Sequence, residues 1–81
     1  MKYRKKPVIV DAIQYTDDNL LEVLKFCDGG KKTIFDYYLY IVTLEGNMRV
    51  SKGDYIIKGV RGEFYPCEKS IFEETYEVLE E

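Results

Sequence analysis

Residues 43–66 read TLEGNMRVSKGDYIIKGVRGEFYP, and this stretch decides the fold. Short segments of apolar and β-branched residues alternate with glycine-containing turns at 45–47, 51–54 and 59–62. Such turns typically join antiparallel strands, so the stretch predicts an antiparallel meander. Pro66 lacks an N–H group, and we expect it to end its strand or to lie on an edge strand.

Upstream of the meander, the sequence predicts further strands. Residues 8–15 are rich in β-branched residues and predict a first strand. Residues 33–44 are apolar on both alternating faces apart from Asp36, which fits either one long strand or two bent strands.

One amphipathic helix is expected between these strands. Helix-capping residues occupy positions 16–19 and predict its start. Leu20, Val23, Leu24 and Cys27 follow the spacing of a single helical face, which makes Cys27 a core thiol. The Gly29-Gly30 pair predicts the end of the helix.

The C-terminal part predicts one short helical turn and a closing strand. Ser70 and Glu73 have the spacing of a capping box, and residues 76–79 are expected to be extended. We therefore predict a single α+β domain over residues 1–81. Its antiparallel meander sheet has about five strands and can curl toward a small barrel, with one amphipathic helix and one short helical turn.

Composition excludes much catalytic chemistry. The chain has no histidine, so the usual general base, transition-metal ligand and nucleophile partner are missing. Its two cysteines lack metal or redox spacing, and no phosphate-binding glycine motif occurs. We expect a non-enzymatic protein without catalytic residues, metal or cofactor.

Charge and hydropathy limit the partners and the location that we expect for this protein. Fifteen acids against twelve bases give a net charge of −3, which does not favour nucleic acid as the main partner. Apolar runs are too short for a membrane span, and the N-terminal segment does not resemble a signal peptide, so a cytoplasmic location is expected. A domain this small has a modest core, and a homo-oligomer is compatible with it.

Tyrosine is unusually frequent, with eight residues and no tryptophan. Tyrosine suits ligand pockets and protein interfaces alike, although about half of these side chains are expected in the core. Bases interleave with tyrosines on the meander and predict a site for an anionic, ring-bearing ligand; the equal alternative is that they are solvated strand-edge charges. The predicted ligand-binding residues are Arg49, Asp54, Tyr55, Lys58, Arg61 and Tyr65.

Two of these predictions have specific alternatives. Asp54 directly follows a turn glycine, and it either bonds its own loop or faces a ligand. The basic cluster Arg4, Lys5 and Lys6 is a second candidate interaction surface, or else it complements the acidic C-terminal tail.

Residues 53–59 (GDYIIKG) and 62–67 (GEFYPC), with the opening residues 3–8 (YRKKPV) and residues 43–48, resemble a family of small phage and prophage proteins. They are close to the proteins called PGDYG after their central motif, although Lys52 stands where the motif has proline and Ile56 where it has its last glycine. The resemblance covers nearly the whole chain. It implies a phage or prophage origin and expression in bacterial cytoplasm, and it supplies no residue roles.

Small phage proteins without catalytic equipment often disarm a host system. The first hypothesis is therefore an accessory protein that sequesters a small anionic, nucleotide-like ligand, which predicts a pocket lined by the bases and tyrosines above. The alternative is an inhibitor that presents a tyrosine-rich surface to a host defence enzyme or nuclease, which predicts an exposed aromatic patch.

Overall fold

The computed structural model describes residues 1–28, 30 and 32–79 and confirms the α+β class. The elements are β1 (Asp11–Gln14), α1 (Leu20–Phe26), β2 (Lys32–Phe35), β3 (Tyr38–Thr43), β4 (Gly46–Val50), β5 (Tyr55–Lys58), β6 (Phe64–Cys67) and α2 (Lys69–Thr75). The strands form two three-stranded antiparallel sheets, ordered β1-β5-β6 and β2-β3-β4.

The prediction of one meander sheet of about five strands is wrong, since the described residues contain six strands in two sheets and no closed barrel. The physical reason lies at the turn between β4 and β5. Tyr15 donates its N–H to the carbonyl of Asp54 at 2.8 Å and accepts from the N–H of Gly53 at 2.7 Å. These bonds attach β5 to β1, so β5 does not return onto β4.

The turn itself explains why the chain changes sheet here. Gly53 has φ +97°, and Asp54 donates its N–H to the carbonyl of Ser51 at 2.9 Å. A positive φ at the third position is typical of a type II turn, whose twist does not match a tight hairpin. The three predicted turns are therefore present, but only two of them join neighbouring strands of one sheet.

Residues 33–44 form two strands, which settles the alternative that the sequence left open. Asp36 and Tyr37 both have positive φ, +51° and +68°, and Phe35 pairs with Tyr38 across them. Two consecutive residues in the left-handed region define a type I′ turn, which matches the twist of a two-residue hairpin.

The core lies between the two sheets, where β3 and β4 pack against β6, and α1 closes it. Val23 and Cys27 of the predicted helix face are fully buried, and Leu20 and Leu24 pack against them, which confirms the amphipathic helix and the core thiol. The other buried members of this cluster are Tyr15, Leu39, Ile41, Val50, Ile56 and Phe64.

Helix α1 starts and ends through specific local contacts. The Asn19 side chain accepts from the N–H of Thr16 at 2.8 Å and donates to the carbonyl of Gln14 at 2.7 Å, which fixes the turn before the helix. Gly29 lies outside the described residues, as do Glu80 and Glu81 of the acidic tail. Gly30 has no room for a side chain, because a Cβ there would collide with the ring of Phe64.

The second face of the β1-β5-β6 sheet is also covered. Ile57 is fully buried on the face opposite Ile56, and it shares that face with Tyr55 and Tyr65. Helix α2 lies there, since the ring of Phe72 stacks on Tyr55 at 3.9 Å between centroids. The molecule therefore has three layers, with a sheet in the middle.

Three C-terminal predictions need correction. The predicted single helical turn is a seven-residue helix, whose N-cap is Glu68, so the capping box starting at Ser70 is wrong. Ser70 donates its hydroxyl hydrogen to the Glu68 carboxylate instead. Residues 76–79 form no strand. The first strand is likewise shorter than residues 8–15, and Pro66 lies within β6, an edge strand, as one alternative predicted.

Among the described residues, neither helix approaches the length and apolar content needed to cross a lipid bilayer.

Candidate functional site

The structure does not bring the six predicted ligand-binding residues around one cavity. Arg49 lies on β4 in one sheet, whereas Tyr55, Lys58 and Tyr65 lie in the other. Within that second sheet the pairing register puts Lys58 on the face opposite Tyr55 and Tyr65. The cation and the two aromatic rings therefore do not converge.

Tyr55 and Tyr65 take part in packing. Phe72 stacks on Tyr55 with an angle of 8° between the rings, and Tyr76 continues the column at 4.9 Å from Phe72. The pKa of Tyr65 is raised to about 12, first by burial and then by its side-chain hydrogen bond with Tyr76. These rings hold α2 and the C-terminal segment on the sheet.

Asp54 bonds its own turn. Its Oδ2 accepts from the N–H of Ser51 at 2.9 Å, which is the structural role that the sequence left open. Its carboxylate and that of Glu68 also raise the pKa of the Cys67 thiol, although burial is the larger cause.

Arg61 projects from an exposed hairpin loop. Gly62 donates its N–H to the carbonyl of Gly59 at 3.0 Å, which closes the tight turn predicted between these glycines. The Glu63 carboxylate accepts from the N–H of Arg61 at 3.3 Å. This bond uses the main chain of Arg61 and not its guanidinium.

The N-terminal bases line a groove. Arg4, Lys5 and Lys6 are exposed, and the last two border a cavity of about 530 Å³ between the N-terminal segment and residues 75–79. Its other lining residues are Pro7, Val8, Ile9, Thr75, Tyr76, Glu77 and Leu79. The two chain ends are therefore neighbours, as the charge pattern predicted, but no strand pairing joins them in the described part of the chain.

The most distinctive surface is the face of the β2-β3-β4 sheet turned away from the core, called the outer face below. Its seven residues follow from the pairing register: Thr33, Phe35, Tyr38, Tyr40, Val42, Asn47 and Arg49. Phe35 is 71% exposed, and Tyr38 and Val42 are also exposed. Arg49 is its only charged residue, whereas 33% of the whole chain is charged.

Arg49 belongs to this aromatic surface. Its guanidinium carbon lies 4.4 Å from the centroid of the Tyr38 ring, and it pairs with Tyr40 across the strands. A guanidinium above an aromatic ring gains cation–π attraction and keeps its N–H groups directed outward. Depletion of lysine and carboxylates, together with enrichment in aromatics and arginine, is typical of the centre of protein–protein interfaces.

The hairpin tip extends this surface. Tyr37 is 96% exposed, although its φ of +68° is a conformation that a bulky residue rarely adopts. Asparagine or glycine would suit the position better. A strained, exposed aromatic residue at a turn indicates a role other than stability.

Phe35, Tyr37 and Tyr38 are not among the site residues predicted from the sequence. A two-residue turn at Asp36-Tyr37 would have placed Phe35 opposite Tyr38 on one face, but positions 36–37 are not an Asn-Gly or Asp-Gly pair, which would have indicated that turn. The alternation of strand faces could be applied only once the turn was located.

Comparison with protein families, curated proteins and solved structures found no match to this chain. The resemblance to small phage proteins stays a prediction. Within the described residues, no group of three or more cysteine and acidic side chains is arranged to hold a metal ion.

Proposed function

We propose that the chain is a non-enzymatic interaction protein, and that the outer face of its β2-β3-β4 sheet binds a partner protein. The observation that carries this proposal is the exposed apolar surface made by the aromatic residues Phe35 and Tyr38 and by Val42, with Arg49 as the one charge of the outer face. Aromatic side chains and arginine supply most of the energetic hot spots of protein interfaces.

Of the two hypotheses drawn from the sequence, the positions of the tyrosines support the protein inhibitor over the ligand-sequestering protein. A sequestered nucleotide-like ligand would need the bases and tyrosines to share a pocket, but Tyr55 and Tyr65 are engaged with Phe72 and Tyr76. The inhibitor hypothesis needs an exposed aromatic patch, which the outer face provides. With the resemblance to small phage proteins, we propose a host defence enzyme or nuclease as the kind of partner.

Rigidity also favours a binding role. Outer-face side chains project from paired strands whose opposite face is the fully buried core of Leu39, Ile41 and Val50. Side chains on a packed sheet lose less conformational entropy on binding than side chains on loops, so more of the contact energy appears as affinity.

The test is affinity capture from a bacterial lysate with the wild type and two variants, whose substituted side chains have the same exposed fraction in the wild type. Phe35→Ser removes an outer-face ring, whereas Val60→Ser alters a residue on the β5–β6 loop that is also 71% exposed. We expect a host protein to be retained by the wild type and by Val60→Ser but lost by Phe35→Ser. Crosslinking through a photoreactive residue at position 37 should then join the two proteins.

Two results would overturn the proposal. One is equal retention of every captured protein by wild type and Phe35→Ser. The other comes from native mass spectrometry of the purified protein. A bound nucleotide that is present in the wild type and absent from Arg61→Ala would favour the small anionic ligand instead.

A further inference from the structure

The β2 strand is an open sheet edge with unusual sequence. Within the described part of the chain β2 pairs with β3 alone, and its residues Ile34 and Phe35 are 51% and 71% exposed on opposite faces. Exposed edge strands with apolar residues on both faces tend to pair with another strand, and proteins normally protect them.

The other sheet edges do carry protection. β6 contains Pro66, which has no N–H to offer, and β4 begins with Gly46-Asn47, two residues that disfavour strands. At β1, the carbonyl of Gln14 already accepts from the Asn19 side chain. β2 alone among these four edges lacks proline, glycine and a side chain bonded to its main chain in the described contacts, and its protection is limited to its four-residue length and to Lys32 at its first position.

We propose that the chain forms a two-fold dimer in which β2 pairs antiparallel with β2 of a second copy, in a register centred on Ile34. The hairpin geometry specifies this centre. Phe35 and Tyr38 flank a two-residue turn, so their main-chain groups bond each other, and those of Ile34 point to the open edge. Ile34 can then exchange both hydrogen bonds with Ile34 of the second copy.

The charges on either side of Ile34 favour a second copy of this chain as the partner that pairs with the edge of β2. Residues 32–36 read KTIFD, so reversal about Ile34 brings Lys32, the first residue of β2, toward Asp36 in the hairpin turn of the other copy, twice per dimer. Within its own chain the Lys32 ammonium donates to the carbonyl of Cys27 at 3.3 Å, a contact that it exchanges for the Asp36 carboxylate in the dimer. Opposite charges that meet at the end of a strand pair attract each other, as they do across the strands, whereas like charges repel. Pairing by two-fold symmetry also closes the assembly, because β2 of each copy then has a strand on both sides.

The dimer would double the outer face. In this register Phe35 of one copy lies opposite Thr33 of the other, and both belong to the outer face, so the two aromatic surfaces become continuous across the axis. Two four-residue strands bury little area, which predicts a weak, concentration-dependent dimer.

The test is sedimentation velocity of the purified chain from micromolar to millimolar concentration. Wild type should shift from monomer to dimer. Lys32→Glu should weaken the dimer about tenfold, because two attractive pairs become repulsive. The double variant Lys32→Glu/Asp36→Lys should return to within about threefold of wild type, since the charges are exchanged.

A second pair of variants tests the edge itself. Ile34→Lys places like charges at the two-fold axis and should abolish dimerisation, whereas Met48→Lys on β4, the opposite edge of the same sheet, should leave it unchanged. Circular dichroism of each variant confirms the fold. The inference is overturned by a wild type that remains monomeric at millimolar concentration, or by a dimer that both Lys32→Glu and Ile34→Lys leave intact. It is also overturned if the folded double variant stays as weak as Lys32→Glu. The isolated protein suffices for every measurement, so this outcome is independent of whether a host partner binds the outer face.

Discussion

Replacing Tyr37 by glycine should make the protein more stable and a poorer binder. Tyr37 has φ +68° and a ring that is 96% exposed, so its substitution removes strain and almost no packing. A side chain in the left-handed region costs roughly 1–2 kcal/mol of stability, which the substitution removes. Glycine reduces this gain by about 0.5–1 kcal/mol, because it increases the conformational freedom of the unfolded chain. The net gain in the free energy of unfolding is about 0.5–1 kcal/mol.

Tyr37→Ala is the matched control. Alanine also lacks the ring but keeps the Cβ that makes a positive φ costly, so its stability should stay within about 0.5 kcal/mol of wild type. In a domain of this size a gain of 1 kcal/mol raises Tm by about 4–8 °C. We therefore expect Tyr37→Gly to melt about 2–8 °C above Tyr37→Ala, as followed by circular dichroism.

Binding should not distinguish the two variants. Both lose the exposed ring, and both should retain less of the host partner than wild type in the capture experiment. If Tyr37→Ala proves as stable as Tyr37→Gly, the turn is not strained in the way described. If both variants bind like wild type, the hairpin tip is not part of the interface.

Three further predictions concern the packed side of the molecule. Phe72→Ala should lower the free energy of unfolding by about 2 kcal/mol, because it removes the ring stacked on Tyr55. Urea denaturation measures this change, and an unchanged denaturation midpoint would contradict the docking of α2. A water-soluble thiol reagent should label Cys67, which is partly exposed, in the native protein, whereas Cys27, 1% exposed, should react only on unfolding. Burial raises the pKa of both thiols, so the difference in exposure decides the order of labelling. Rapid labelling of both would be inconsistent with the helix face. Burial raises the pKa of Tyr65 to about 12, whereas the pKa of tyrosine in the unfolded chain is about 10. The contribution of Tyr65 to stability is therefore complete below about pH 10 and is lost as the pH rises toward 12. Tyr65→Phe should reduce this loss of stability at alkaline pH, and identical pH profiles of stability for the two proteins would refute the prediction.

Local features of the fold were predictable from the sequence. The spacing of Leu20, Val23, Leu24 and Cys27 identified the helix and its buried face, and the glycine turns located the strands on either side of them. These features depend on contacts between residues close in the chain, which periodicity and turn chemistry describe well.

The partition into two sheets was not predictable in this way. It depends on main-chain bonds from Tyr15 to Gly53 and Asp54, and no local pattern indicates which distant strand a given edge will select. The same limit applies to the candidate site. Arg49 was identified by its charge, but its aromatic neighbours Phe35 and Tyr38 required knowledge of the strained turn between them.

The pairing of β1 with β5 bears on how the chain folds. β2, β3 and β4 are joined by hairpins of adjacent strands, whereas Gln14 bonds the carbonyl of Gly53, 39 residues away. Closing a loop of that length costs conformational entropy before any contact compensates for it, and non-local pairing slows folding. The β2-β3-β4 hairpins can therefore form early, while the β1-β5-β6 sheet completes late. During that interval the open edge of β2 is already assembled, so self-association through it competes with completion of the fold in a concentrated sample.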